Sequence, residues 1–167
     1  MINRSLDGRV CESFYAKDVL LALQALKKIS SLAELRYDLS HLNLIDIKRI
    51  KKASDKKLIF TCRGGGVFSQ ERMLAAYEMA IESGYDYIDI DLEHDGHLIP
   101  ALQPRISDTS TQLILSYHNY HETPQEQDLD SIMKNLSSCQ PDLIKIATLA
   151  RSSKDVDLLI ETQNSFE

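Results

Sequence analysis

A lysine, a histidine and a run of carboxylates sit inside short apolar segments, where a buried strand normally carries none. Five segments show it: Ala33-Glu34-Leu35-Arg36-Tyr37-Asp38, Leu58-Ile59-Phe60-Thr61-Cys62-Arg63, Tyr87-Ile88-Asp89-Ile90-Asp91-Leu92-Glu93, Leu113-Ile114-Leu115-Ser116-Tyr117-His118 and Leu143-Ile144-Lys145-Ile146-Ala147. Side chains alternate faces along a strand. Glu34, Arg36, Asp38, Arg63, Asp89, Asp91, Glu93, His118 and Lys145 therefore share one side, with Leu, Ile, Phe and Tyr on the other. Burying charge is costly unless it is paired, so the repeated pattern points to a lined site.

Lys145 is centred in an apolar strand. Withdrawal from water lowers a lysine's pKa and frees the neutral amine, which is what attack on a ketone to form a Schiff base requires. The alternation alone leaves open a lysine that snorkels outward or pairs with Asp89 or Asp91. His118 ends the preceding strand with the same facing, placing a general acid/base beside the amine. His121 falls in the following turn and reads as a surface or capping residue. His94-Asp95-Gly96-His97 has no third ligand at a metal-binding spacing, so no metal site is expected. Gly64-Gly65-Gly66 lacks both the Lys-Ser/Thr ending and the GxGxxG spacing of phosphate loops, and reads as a tight strand-to-helix turn.

Helical segments separate these strands. Val19, Ala22, Leu23, Leu26 and Ile29 share a face, as do Met73, Ala76, Tyr77, Ala80 and Ile81, the latter helix bracketed by Ser69 as N-cap and Gly84 as terminator. A less periodic helix is expected around 46–53. Thr123 with Glu126 reads as a capping box with Pro124 at N1, ahead of Leu129, Ile132, Met133 and Leu136. A last helix is expected from Ser152 or Ser153, burying Val156, Leu159 and Ile160, whereas Pro100 and Pro104 limit helix between Glu93 and Thr111.

At 167 residues, 43% hydrophobic and 26% charged, the composition is that of one globular domain spanning 1–167. The net charge of −6 and scattered cations argue against a nucleic-acid partner, and the cluster Lys48-Arg49-Ile50-Lys51-Lys52 with Lys56-Lys57 reads as a solvated helix end. The longest apolar stretch, 19–26, is too short to span a bilayer. The amino terminus shows no secretion signal, and three widely spaced cysteines in no metal or redox spacing fit a reducing cytoplasm.

With a first strand at Ile2 to Leu6, the pattern makes six βα units. An open parallel sheet covered on both faces has little room for a charged face. A (β/α)8 TIM barrel has an interior and keeps its catalytic groups at strand carboxyl ends, where Arg63, Glu93, His118 and Lys145 fall. Eight units typically take about 250 residues, so an incomplete α/β barrel of about six units is expected.

Four segments, in order, resemble the type I 3-dehydroquinate dehydratases. Glu34-Leu35-Arg36-Tyr37-Asp38 is similar to the family's Glu-x-Arg-x-Asp strand, and Phe60-Thr61-Cys62-Arg63 to its Thr-x-Arg strand. Ser116-Tyr117-His118-Asn119-Tyr120-His121-Glu122-Thr123-Pro124 resembles its catalytic-histidine motif. Asp142-Leu143-Ile144-Lys145-Ile146-Ala147, followed by Ser153-Lys154-Asp155-Val156, resembles its Schiff-base lysine segment.

The resemblance implies dehydration of 3-dehydroquinate to 3-dehydroshikimate without a metal or organic cofactor. It implies Lys145 as imine-forming residue and His118 as acid/base. Glu34, Arg36, Arg63 and Ser5 match positions that contact substrate, and Asp38, Asp89, Asp91 and Glu93 are expected in the supporting network. Dimers are common in the family. Three departures stand out: Gly64-Gly65-Gly66-Val67 occupies the place of an acidic residue that helps set the histidine, the amino-terminal hairpin is short or missing, and the last two βα units are not present. The alternative is therefore a weak or inactive remnant, or a module of a longer dehydroquinase–shikimate dehydrogenase polypeptide.

Overall fold

The computed structural model describes residues 10–29, 31–65 and 68–166. The strand expected over Ile2–Leu6 lies outside them. The first described strand is instead β1 (Cys11–Phe14), which the sequence does not announce: four residues, of which only Phe14 is buried, carry no alternation. Then follow α1 (Val19–Leu26), β2 (Leu32–Arg36), α2 (Leu44–Lys52), β3 (Lys57–Thr61), α3 (Gln70–Glu82), β4 (Tyr87–Asp91), α4 (Leu92–Asp95), α5 (Ile99–Ser107), β5 (Gln112–Asn119), α6 (Glu126–Ser138), β6 (Leu143–Thr148) and α7 (Ser153–Ser165). Short 3-10 turns follow β2 at Tyr37–Leu39 and α4 at Gly96–Leu98. All six strands are parallel and pair in sequence order, β1-β2-β3-β4-β5-β6.

That order is the signature of successive βα units winding one way, and the sheet is curled. Glu34 on β2 and Lys145 on β6 are four strands apart, roughly 19 Å in a flat sheet, yet Lys145 Nζ lies 3.4 Å from Glu34 Oε1. The molecule is an incomplete α/β barrel.

The helices cover the outer, convex face. Leu35, Leu58, Phe60, Ile88, Ile90 and Leu115 point outward and are fully buried against them. Phe60 packs against the rings of Tyr37, Tyr77 and Tyr85, with centroids 5.4–5.6 Å apart; burying one such side chain contributes about 1.5–3 kcal/mol. The inner face is plugged at its amino-terminal end by Leu32, Ile59, Tyr87 and Ile114, with Leu143 against them.

Local sequence explains most helix ends. Ser69 accepts from Arg72 N and starts α3, and Gly84 ends it at φ +78°, where a Cβ would be strained. Three expectations need correction. Thr123 does not cap α6; Gln125 does, without a side-chain bond. Thr123 Oγ1 lies 2.8 Å from Thr148 Oγ1 instead, tying the loop after β5 to the end of β6. Pro100 and Pro104 do not prevent helix: Pro100 lies in the first turn of α5, where its missing N–H costs nothing, and Pro104 is tolerated inside. In α7, Val156 and Ile160 are 46% and 52% exposed rather than buried, because no described element packs on that side; Leu159 is half-buried.

Candidate active site

Every strand gives one polar side chain to a single connected network on the inner face. Ser13 of β1 donates to Glu34 Oε2 of β2. Glu34 Oε1 accepts from Thr61 of β3 at 2.7 Å and from Lys145 of β6 at 3.4 Å. Asp89 of β4 accepts from Lys145 at 2.9 Å through Oδ2, and from Ser116 of β5 at 2.6 Å through Oδ1. Arg63, just beyond β3, adds a 2.9 Å ion pair to Asp89 Oδ1. In strand register the layer is staggered, since Glu34 lies opposite Ile59 and Asp89 opposite Ile114. It steps up two residues at β2–β3 and at β4–β5, the stagger that barrel tilt produces.

Asp89 is fully buried and Glu34 nearly so, yet three cationic or hydroxyl donors meet each carboxylate. Burial opposes ionisation of Glu34, but Lys145 with the Ser13 and Thr61 hydroxyls outweighs it and its pKa falls. Of the alternatives the alternation leaves open for Lys145, pairing with Asp89 is the one observed, and the lowered pKa expected from burial alone is not. Burial does disfavour its ammonium, but Asp89 and Glu34 overcome that, and its pKa is raised. Its side chain keeps 38% exposure. The amine is an ion-paired ammonium at rest, not a desolvated neutral nucleophile.

Above this layer, towards the strand carboxyl ends, stand Arg36, Arg63, Asp91 and His118. Arg36 is held in a bidentate pair with Asp38, at 3.0 and 2.7 Å. Arg63 is also secured, but its buried Nη1 has no partner among the described residues. Tyr77 hydroxyl braces this region from the outer side, within hydrogen-bonding distance of Cys62 O and Asp89 O.

His118 is 10% exposed and its Nδ1 lies 2.8 Å from Asp91 Oδ2. It sits two residues beyond Ser116, the register partner of Lys145, and so faces the same interior. Tyr120 stacks on it at 6.1 Å. Asp91 supplies the carboxylate that the segment Gly64–Val67 lacks. Burial disfavours the Asp91 charge, yet bonds from His118 and His94 and the His94 backbone, with Arg63 nearby, hold its carboxyl far below the usual range.

The inner face thus carries Lys145, Glu34, Asp89 and Arg63 in one hydrogen-bonded network, with the Arg36–Asp38 and His118–Asp91 pairs standing above it. Ser5 lies outside the described residues. Glu93 is not in the network: it falls in α4 and is exposed, because the chain turns into helix at Leu92. The sequence carries no signal for Ser13, and His94, weighed there only as part of a metal-binding spacing, bonds Asp91 instead. Thr61 and Ser116 sit at alternate positions of strands already recognised, so their facing was available. Among the described residues no three His, Cys, Asp or Glu gather as a metal site. A separate hollow of about 420 Å³, lined by Asp38, Ser40, His41, Phe68 and Arg72 among others, lies beside the Arg36–Asp38 pair and includes neither Lys145 nor His118.

Comparison with known proteins gives the family and the fold. The family model described as Type I 3-dehydroquinase matches residues 10–167. A 3-dehydroquinate dehydratase of Coxiella burnetii is 30% identical over 160 residues, covering 92% of this chain and 64% of the relative. A 3-dehydroquinate dehydratase of Methanococcus maripaludis is 30% identical over 166 residues, covering 94% and 74%. Among solved structures, a type I 3-dehydroquinate dehydratase of Clostridium difficile, with covalently modified comenic acid, superposes with TM-score 0.81 at 23% identity, covering 93% of this chain and 68% of that one. The chain spans about 64% of the length of the Coxiella relative.

Proposed function

The chain belongs to the type I 3-dehydroquinase family, and from that premise we propose that it dehydrates 3-dehydroquinate to 3-dehydroshikimate through a Schiff base on Lys145. The observation that carries the reading is the Lys145 amine on the inner face, held by Asp89 and Glu34, with His118 on the adjoining strand facing the same space.

Lys145 must first shed a proton, and Asp89 Oδ2 is the closer of its two carboxylates, at 2.9 Å. The neutral amine adds to the C3 ketone, and loss of water leaves a protonated imine. That cation acidifies C2. His118 removes the C2 proton, with the electron pair passing into the imine to give an enamine. Return of the pair expels the C1 hydroxyl, which leaves as water on taking the proton back from His118. Hydrolysis of the conjugated imine releases product and restores the amine. Glu34, Arg36 and Arg63 orient substrate oxygens, Arg63 Nη1, without a partner among the described residues, being a ready donor. No metal or organic cofactor is required. The same reading carries a dehydroquinase-like domain over 1–167, located in the cytoplasm, with a homodimer as the candidate assembly and without a nucleic-acid partner. No described helix is long and apolar enough to cross a membrane.

A second reading, a module that folds but does not turn over, is favoured by one feature: β6 is only half-buried along its length. Borohydride reduction in the presence of 3-dehydroquinate separates the two. Reduced adduct mapped to Lys145 supports the dehydratase, and its absence supports the module. In Lys145→Ala both adduct and turnover should vanish; turnover persisting there would rule out imine catalysis.

A further inference from the structure

Asp91 carries two imidazoles on one carboxylate. Its side chain is 4% exposed, with Oδ2 2.8 Å from His118 Nδ1 and Oδ1 3.0 Å from His94 Nδ1. Oδ1 also accepts the backbone N–H groups of Glu93 at 3.1 Å and His94 at 3.3 Å, which fix the carboxylate as the N-cap of α4. The two rings differ in setting: the His118 side chain is 10% exposed and that of His94 is 64% exposed. An ionised carboxylate only accepts hydrogen bonds, so the Nδ1 atom facing it must carry the proton. Neutral His118 is then left with a bare Nε2 as its basic atom.

We propose that Asp91 and His94 are positioning residues for His118: Asp91 fixes its Nδ1–H tautomer, and His94, from the solvent side, sets how much of the shared negative charge His118 receives. When His94 is protonated, a second imidazolium on the same carboxylate is disfavoured. The surroundings are compatible. Arg63 after β3 acts on Asp91 with a charge that does not titrate in this range. Glu93 and Asp95 of α4 act on His94, and the bond to Asp91 raises the His94 pKa. Tyr120 after β5 stacks on His118, while Asp89 and Lys145 form the next layer down.

The catalytic meaning of this relay rests on the dehydratase reading, but its physical content does not, and the test is made on the full chain without substrate. Nitrogen-15 NMR of labelled histidine should find neutral His118 as the Nδ1–H tautomer. His94→Gln, which keeps a donor but removes the charge, should leave that tautomer and move the His118 titration upward by roughly half a pH unit, the scale of one like charge a few ångströms farther away at a partly exposed site. Asp91→Asn should abolish the tautomer preference; because Asp91 is buried and caps α4, the exposed His94→Gln variant decides the matter if that protein does not fold. An Nε2–H tautomer in the wild type, or a titration unmoved or lowered in His94→Gln, overturns the proposal. Failure of trapping at Lys145 with these NMR results intact would sink the reaction and leave the relay standing.

Discussion

Replacing Asp89 by Asn tests the central electrostatic claim. Asp89 is fully buried and accepts from Arg63 at 2.9 Å, Ser116 at 2.6 Å and Lys145 at 2.9 Å. The amide can still accept at Oδ1, but its Nδ2 then faces the Lys145 ammonium donor to donor. Two unit charges 2.9 Å apart attract by about 6 kcal/mol at an effective dielectric of 20. Desolvation of the carboxylate offsets much of this, and the 38% exposure of Lys145 calls for a further discount for solvent screening. Leaving Arg63 and Lys145 with Glu34 as the remaining carboxylate of the layer should therefore cost about 2–4 kcal/mol, which lowers Tm by roughly 5–15 °C in a chain of this size. The second consequence concerns the amine. Losing the nearer opposite charge should lower the Lys145 pKa, which raises the neutral fraction of the amine at a pH below it. Competitive labelling with an amine-directed reagent at pH 8, read at Lys145 by mass spectrometry and referenced to surface lysines, should accelerate. Thermal unfolding gives the stability arm. If the variant melts with the wild type and Lys145 labels at the same rate, carboxylate control of the amine is wrong.

Three further outcomes follow from the same contacts. Glu34 and Asp91 have lowered pKa values in the fold, so their contribution to stability is present above the ordinary carboxylate range and is lost as pH falls through their folded values; Lys145, raised, contributes below its unfolded value and loses it as pH rises through the folded one. Urea unfolding at a series of pH values should show both flanks, and in Glu34→Gln the acid loss should shrink. Gly64→Ala should destabilise by about 1–3 kcal/mol, because the added Cβ would meet Asp95 Oδ1 at 2.8 Å and Met73 Sδ at 3.1 Å; an unchanged midpoint in denaturant would contradict that packing. Cys62, buried with its thiol pushed up to about 12 chiefly by desolvation, should resist thiol reagents until the chain unfolds, whereas exposed Cys11, raised to about 11, should react slowly in the native state.

The sequence reveals what alternation and capping encode locally. Five of the six strands and the faces of α1 and α3 follow from periodicity, and so does the shared facing of Lys145 and His118. What it conceals depends on contacts across the fold. The sign of the Lys145 shift turns first on Asp89, two strands away and open to the sequence as a partner, and then on Glu34, four strands away and adjacent only through curvature, which the sequence does not offer. Thr123 shows the same limit. Its spacing to Glu126 satisfies a capping rule, but a hydroxyl on β6 competes for it and prevails. The exposure of Val156 and Ile160 likewise reflects which neighbours α7 has, a fact its own periodicity cannot carry.

Curvature, charge and chemistry are therefore one problem here. In a flat parallel sheet Glu34 could not reach Lys145, and the inner face would present separate buried charges that each cost several kcal/mol. Curling brings Ser13, Glu34, Thr61, Asp89, Ser116 and Lys145, one from each strand, into mutual contact, so the energy that offsets desolvation also favours the curl. The same contacts keep the amine protonated. In the proposed reaction the amine must give up that proton and leave its ion pair with Asp89 before it can attack.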